Sequence, residues 1–149
     1  MGISCKLVLL ELPDGTPNLY FDHKKPVAFL ENASSGTIAL MTLYQLFLIN
    51  LESARDASLF FIDEFDAFYH YEMSFRVIEF FKKYYPDCQI IFTSHNTNLM
   101  TNELLRPDCL FILSEQNTLT ALCDATGREL REGHNLEKMY ISGEFEKYE

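Results

Sequence analysis

Positively charged residues are scarce in this sequence. It contains 12 Lys and Arg residues against 22 Asp and Glu residues, which gives a formal net charge of −10 at pH 7. No segment gathers its basic residues into a stripe that could neutralise a phosphate backbone. The composition therefore argues against nucleic-acid binding by this chain on its own.

Cysteine pairs and long apolar runs are also missing. The four cysteines, Cys5, Cys88, Cys109 and Cys123, stand far apart without a C-x-x-C pair. This spacing fits reduced thiols in the cytoplasm rather than a disulfide framework or a zinc site. The longest apolar run, residues 38–51, is too short and too polar to cross a bilayer. Because no apolar signal core stands at the N-terminus either, the sequence predicts a cytoplasmic protein.

Length and apolar content limit the number of domains. The chain has 149 residues, of which 48% are hydrophobic, and this is enough for one core and too little for two. We expect a single domain with three regions. They are an antiparallel β hairpin region at residues 1–31, a core at residues 32–125 and a polar tail at residues 126–149.

Strand and helix patterns alternate in the second half of the chain. The run 59–62 is continuously apolar, as in a buried parallel strand, and residues 72–85 have apolar side chains at helical spacing. Strand, helix, strand, helix and strand in this order predict a three-layer α/β domain with mostly parallel strands. The other predicted elements are strands at 6–12, 19–21, 27–30, 89–93, 110–113 and 118–123 and helices at 97–105 and 136–141. The strands at 110–113 and 118–123 are expected to pair with each other across residues 114–117.

A long helix is predicted to follow the small residues 32–36. It begins near Ile38 and is apolar on every side, with Met41, Leu46 and Leu48 among its members. A helix of this kind is expected to be buried on most faces.

The residues that carry chemistry follow two of the predicted strands. Asp63 and Glu64, with Asp66 close behind, come directly after residues 59–62, and His95 follows the strand 89–93. Ligands of open parallel sheets bind beyond the carboxyl ends of the strands. One of the acids can hold Mg²⁺, the next can orient a water for attack, and a neutral imidazole can bond a terminal phosphate.

These residues resemble the motifs of a known family. Residues 59–64, Leu-Phe-Phe-Ile-Asp-Glu, resemble the Walker B motif of ABC-type P-loop ATPases, the class that contains transporter nucleotide-binding domains, SMC proteins and OLD-like ATPases. The loop Ser34, Ser35, Gly36 and Thr37 before a long helix resembles the signature loop of that family. His70 stands at the D-loop position and His95 at the switch position, and residues 135–145 look like the end of OLD-like ATPases.

The resemblance implies a P-loop NTPase-like sheet that uses ATP and Mg²⁺. It implies that Asp63 helps to hold Mg²⁺, that Glu64 polarises the attacking water and that His95 contacts the γ-phosphate. The signature loop and His70 would then act across a homodimer of ATPase heads, in which Ser34 and Gly36 touch ATP that is held by the second copy. The OLD-like likeness also suggests a partner nuclease.

Ordinary structural roles compete with these interpretations. Ser-Ser-Gly-Thr before a helix is also a common N-terminal cap. An acidic pair can simply end a strand, and His70 and His95 can be surface histidines. The ordered set of motifs, rather than any one of them, favours the functional interpretation.

One motif of the family is missing. No G-x-x-x-x-G-K-[ST] occurs in these 149 residues, since no lysine directly follows a glycine. The Walker A loop that cradles the β- and γ-phosphates is therefore absent from them. We expect these residues to be the C-terminal portion of a longer ATPase and to bind or hydrolyse little ATP on their own.

Two alternatives remain at this stage. In a Mg²⁺-dependent nuclease or Toprim-like domain, Asp63, Glu64 and Asp66 would bind metal and His95 would assist cleavage. An earlier glutamate with a glycine turn, typical of Toprim sites, is not evident, and the charge of −10 opposes the approach of DNA. A non-catalytic, degenerate ATPase domain that only pairs with another subunit is the second alternative.

Overall fold

A computed structural model of the protein describes residues 6–53, 58–131 and 133–148. Contacts divide the chain into two compact units, residues 1–60 and 61–149. The predicted mixed α/β class is confirmed. Cys5 and residues 54–57 of the connector after the long helix lie outside the described residues.

The elements are β1 (Leu7–Glu11), β2 (Pro17–Phe21), β3 (Val27–Ala28), α1 (Phe29–Asn32), α2 (Ser35–Ser53), β4 (Leu59–Ile62), α3 (Tyr71–Tyr84), β5 (Gln89–Phe92), β6 (Phe111–Leu113), β7 (Leu119–Ala121) and α4 (Leu136–Ile141).

The first unit begins with the predicted hairpin. Strands β1 and β2 pair antiparallel from Leu7↔Phe21 to Glu11↔Pro17, and β3 adds to β2. Gly15 takes a φ of 81° in the turn, a conformation that a residue without Cβ adopts at little cost. The Asp14 carboxylate accepts hydrogen bonds from the side chain and main chain of Thr16, which lower its pKa.

The predicted strand at residues 27–30 is wrong in its second half. Only Val27–Ala28 is extended, and Phe29 begins the short helix α1. Phe29 is fully buried, with its ring 5.1 Å from that of Phe21. Burial of this ring against the sheet therefore outweighs the local preference of residues 27–30 for an extended backbone.

Helix α2 begins earlier than predicted. Its described side chains are also less buried than predicted. It starts at Ser35 instead of near Ile38. Over residues 35–45 only Leu40 is buried, while Ile38 and Tyr44 are exposed and Met41 is half-buried. The expected burial on most faces is wrong for this segment. The side chains of Leu46 and Leu48 lie outside the described ones.

Strands β4 and β5 form the sheet that carries the candidate site. Both alternate exposed and half-buried residues, so the prediction that β4 is buried on both faces is wrong. Phe61 is 62% exposed. The other face packs on α3, whose Phe81 ring lies 5.1 Å from Phe92 and is almost fully buried.

The described strands form three small sheets rather than one. The predicted pairing of the strands at 110–113 and 118–123 is confirmed: β6 and β7 are antiparallel, in the register Phe111↔Ala121 and Leu113↔Leu119. Instead of a helix over residues 97–105, the chain after β5 forms the short 3₁₀ helices Thr97–Leu99 and Pro107–Cys109. Only the five residues 114–118 separate β6 from β7, so β6 forms its main-chain hydrogen bonds with the strand that follows it, as in a hairpin.

The C-terminal region contributes to a core. Helix α4 forms where the sequence predicts it, with Asn135 as its cap. Leu136 and Phe145 are fully buried against Ile112, Leu122 and Ala125. The region is therefore polar in composition but not a solvated tail. In the part of the chain that the structure describes, no helix has the length and apolar character that crossing a membrane requires.

Candidate functional site

The site lies where β4 and β5 end. The N–H of Thr93 donates to the carbonyl oxygen of Ile62 at 3.1 Å, and the N–H of Phe65 donates to the carbonyl oxygen of Thr93 at 3.2 Å. These hydrogen bonds hold the carboxyl ends of the two strands side by side. Glu64, which follows β4, is thereby brought next to His95, as the sequence predicts.

The hydroxyl of Thr93 lies between the two acidic residues. Its Oγ1 donates to Oδ1 of Asp63 at 2.5 Å and accepts a hydrogen bond from the N–H of Glu64 at 2.7 Å. Sequence reasoning assigned no role to this threonine. The only signal is its place in the Thr-Ser-His triplet that ends the second strand.

Glu64 has an unusual backbone. Its φ is 43°, in the left-handed region that residues with a Cβ rarely adopt. Among the described residues, Asn117 in the β6–β7 turn is the other non-glycine residue with positive φ, and asparagine tolerates it better. A conformation of this kind costs about 1–3 kcal/mol and persists where surrounding contacts impose it. Here the N–H of Glu64 is held by Thr93.

Glu64 and His95 face each other. Oε1 of Glu64 lies 3.6 Å from Nε2 of His95, and both side chains are largely exposed, at 62% and 92%. This separation is slightly longer than a hydrogen bond. The two side chains form an ion pair when the imidazole is protonated. Both groups are therefore accessible to a ligand that enters from solvent.

An open cleft adjoins this pair. It has a volume of about 300 Å³ and is lined by Glu64, Asp66, Ala67, Tyr69, His95 and Asn96. Oγ of Ser94 donates to Oδ2 of Asp66 at 2.7 Å and accepts the N–H of Asn96 at 2.9 Å, which fixes the wall of the cleft. Partial burial raises the pKa of Tyr69, so its hydroxyl stays protonated at neutral pH.

The residues fit a magnesium ion that arrives with a nucleotide. In residues 6–53, 58–131 and 133–148, no group of three or more His, Cys, Asp or Glu residues is placed to hold a metal by itself. Magnesium in nucleotide sites needs only one or two carboxylates, because phosphates and waters complete its octahedron. Asp63 is an exposed carboxylate that can fill this role.

The sequence matches a known family over more than half of its length. The profile of the family described as "AAA domain, putative AbiEii toxin, Type IV TA system" matches residues 12–101, more than half of the chain. This chain belongs to that family. The matched segment of this AAA domain includes the loop at residues 34–37 and the whole segment from Asp63 to His95. Among proteins with curated descriptions, none matches the sequence.

The fold of this AAA domain is similar to that of a solved SMC structure. That structure comes from work on the structural biochemistry of ATP-driven dimerization and DNA stimulated activation of SMC ATPases. The TM-score is 0.57 at 17% sequence identity, and the alignment covers 97% of this chain and 83% of the other. At this identity the likeness concerns the fold and not the site.

The loop at residues 34–37 of the AAA domain caps α2. Oγ of Ser34 accepts the N–H of Thr37 at 3.2 Å and lies 2.8 Å from Thr37 Oγ1. Ser35 is the first residue of the helix, and Gly36 and Thr37 lie in its first turn. Ser34 thus has a structural role, and a contact with nucleotide stays a prediction. The loop belongs to the first unit and Asp63, Glu64 and His95 belong to the second.

The cap predicts a measurable stability effect. Ser34→Ala removes the oxygen that accepts the Thr37 N–H, and loss of an N-cap costs about 1 kcal/mol. We expect the free energy of unfolding to fall by that amount in urea titrations followed by circular dichroism. Ser35→Ala is the matched control and should change it little. Equal effects of the two variants would contradict the assignment of Ser34 as the cap.

His70 directly precedes α3. Its carbonyl oxygen accepts the N–H groups of Met73 and Ser74 at 3.0 and 3.1 Å. Its imidazole is 73% exposed, with Nε2 3.5 Å from Oε2 of Glu72. The carbonyl group of His70 therefore accepts hydrogen bonds from the first turn of α3. A D-loop role for its ring stays a prediction.

Proposed function

We propose that this chain supplies the Mg²⁺-binding, water-polarising and phosphate-sensing groups of an ATP-hydrolysing head. Asp63 would hold Mg²⁺, Glu64 would polarise the attacking water and His95 would contact the γ-phosphate. The observation that carries the proposal is that Glu64 and His95 lie 3.6 Å apart at an open cleft where β4 and β5 end. Asp63 stands beside Glu64 in the chain and is hydrogen-bonded to Thr93.

The chemistry of the cleft is suited to this task. Glu64 Oε1 is an exposed acceptor that can take the proton of a water, and general base catalysis of this kind contributes about 10²–10⁴-fold to a rate. His95 can donate an N–H to a phosphate oxygen. The Mg²⁺ would supply charge that stabilises the phosphates during transfer. Membership of the AAA-domain family supports the proposal from an independent direction.

The proposed site also needs a phosphate-binding loop. These 149 residues contain no G-x-x-x-x-G-K-[ST], so we propose that a P-loop-bearing segment joins them to form what we call the complete head. We further propose that two heads dimerise around Mg-ATP, with Ser34–Thr37 of one copy near the ATP of the other. The partner nuclease, the OLD-like subclass and the cytoplasmic location stay predictions.

Calorimetry tests whether binding of Mg-ATP requires the P-loop segment in addition to this chain. Titrating Mg-ATP into the 149-residue chain should give no binding in the micromolar range, because the main source of phosphate affinity is not among its residues. The complete head should bind in that range. Micromolar binding by the chain alone would contradict the proposal that an added P-loop is needed.

A cleavage assay separates the ATPase from the nuclease alternative. We expect the complete head to release inorganic phosphate from ATP in the presence of Mg²⁺ and to leave plasmid DNA intact. Cleavage of plasmid DNA that is lost in Asp63→Asn would instead favour the nuclease. Binding of ATP without hydrolysis would favour the degenerate domain.

A further inference from the structure

Thr93 hydrogen-bonds to four consecutive residues. Its N–H and carbonyl oxygen bond Ile62 and Phe65, and its hydroxyl bonds Asp63 and Glu64. Thr93, which directly follows β5, therefore holds residues 62–65, where β4 ends and the next turn begins. The two main-chain bonds do not depend on the identity of residue 93, whereas the two hydroxyl bonds do.

The direction of the hydroxyl bonds is fixed by chemistry. The N–H of Glu64 can only donate, so Oγ1 must be its acceptor at 2.7 Å. The hydroxyl proton is then free to point at Asp63 Oδ1, 2.5 Å away. Asp63 therefore accepts this hydroxyl proton through Oδ1.

The same hydroxyl bears on the strained backbone of Glu64. A left-handed glutamate needs contacts that compensate for the steric cost of its Cβ. The N–H of Glu64 is bonded to Thr93 Oγ1, and with this backbone the carboxylate of Glu64 faces His95 at 3.6 Å. Without the hydroxyl, the turn would lose the bond of the Glu64 N–H, which is one of the contacts around this strained residue.

We propose that Thr93 is a positioning residue of the hydrolytic site. Its hydroxyl orients the Asp63 carboxylate and, through the Glu64 N–H, directs the Glu64 carboxylate toward the cleft beside His95. The inference rests on the proposed ATPase function, and it adds a residue that acts through Asp63 and Glu64 without touching ATP itself.

Three variants of the complete head test the proposal. Thr93→Val is close in shape but removes both hydroxyl bonds, and we expect it to lower kcat for ATP about 10–100-fold, with KM nearly unchanged, because small displacements of catalytic groups have effects of this size. Thr93→Ser keeps the hydroxyl and should restore most of kcat. Thr120→Val, in β7 and outside the cleft lining, is the control. Wild-type kcat in Thr93→Val, or equal losses in Thr93→Val and Thr93→Ser, would overturn the proposal.

Amide hydrogen exchange tests the same bonds without ATP. In the 149-residue chain, NMR should show a protected Glu64 amide that exchanges much faster in Thr93→Val and stays protected in Thr93→Ser. The amides of Thr93 and Phe65 belong to the main-chain bonds and should stay protected in all three proteins. Unchanged protection of the Glu64 amide in Thr93→Val, with those two amides intact, would also refute the positioning role.

The Glu64→Gln variant distinguishes a failure of the proposed ATPase function from a failure of the positioning role of Thr93. If Glu64→Gln leaves hydrolysis unchanged, the proposed function fails whatever Thr93 does. If Glu64→Gln abolishes hydrolysis and Thr93→Val does not reduce it, the positioning role alone is wrong.

Discussion

Glu64→Gln is expected to reduce ATP hydrolysis by the complete head at least about 100-fold, because the amide cannot accept a proton from the attacking water. The substitution keeps the size of the side chain and its place at the cleft. ATP binding, measured by calorimetry, should be retained. If binding closes two heads and hydrolysis opens them, the variant should also accumulate as an ATP-bound dimer in light scattering.

Glu79→Gln is the matched control for this experiment. Glu79 is an exposed glutamate on α3 that does not line the cleft. It should hydrolyse ATP at the wild-type rate and form no trapped dimer. Wild-type hydrolysis in Glu64→Gln would contradict the role of Glu64 as the water-polarising base.

The placement of the candidate site was accessible from sequence, and its internal geometry was not. Apolar runs at residues 59–62 and 89–93 locate two strands, and polar residues at their carboxyl ends predict that Glu64 and His95 meet. The role of Thr93 depends on hydrogen bonds between residues about thirty positions apart. No local sequence pattern specifies such bonds. A glutamate at position 64 likewise gives no indication that its backbone is left-handed.

Burial was the least predictable property of the fold. An apolar run such as residues 59–62 indicates a strand, but it does not indicate how much of the strand this chain covers. Phe61 is exposed, and among the described side chains of α2 only Leu40 is buried. Hydrophobic periodicity therefore predicts the element more reliably than the partner that packs on it.

The C-terminal region is more buried than its composition alone indicates. It is polar and charged, yet two of its apolar residues are fully buried. Gly143 takes a φ of 78°, and the N–H of Glu144 donates to the carbonyl oxygen of Met139 at 3.1 Å. This turn after α4 returns the chain so that Phe145 enters the core. An average over composition misses a few apolar residues that a glycine turn directs inward.

Phe145→Ala should therefore destabilise the protein strongly. Phe145 is fully buried beside Leu136 and Leu122, and removal of a buried phenyl ring costs about 3–5 kcal/mol through lost transfer energy and the cavity that remains. Urea denaturation followed by circular dichroism should show a free energy of unfolding lower by that amount. Phe68→Ala, at a residue that is 62% exposed, is the control and should change it by less than about 1 kcal/mol. Equal stabilities of the two variants would contradict a contribution of Phe145 to the core.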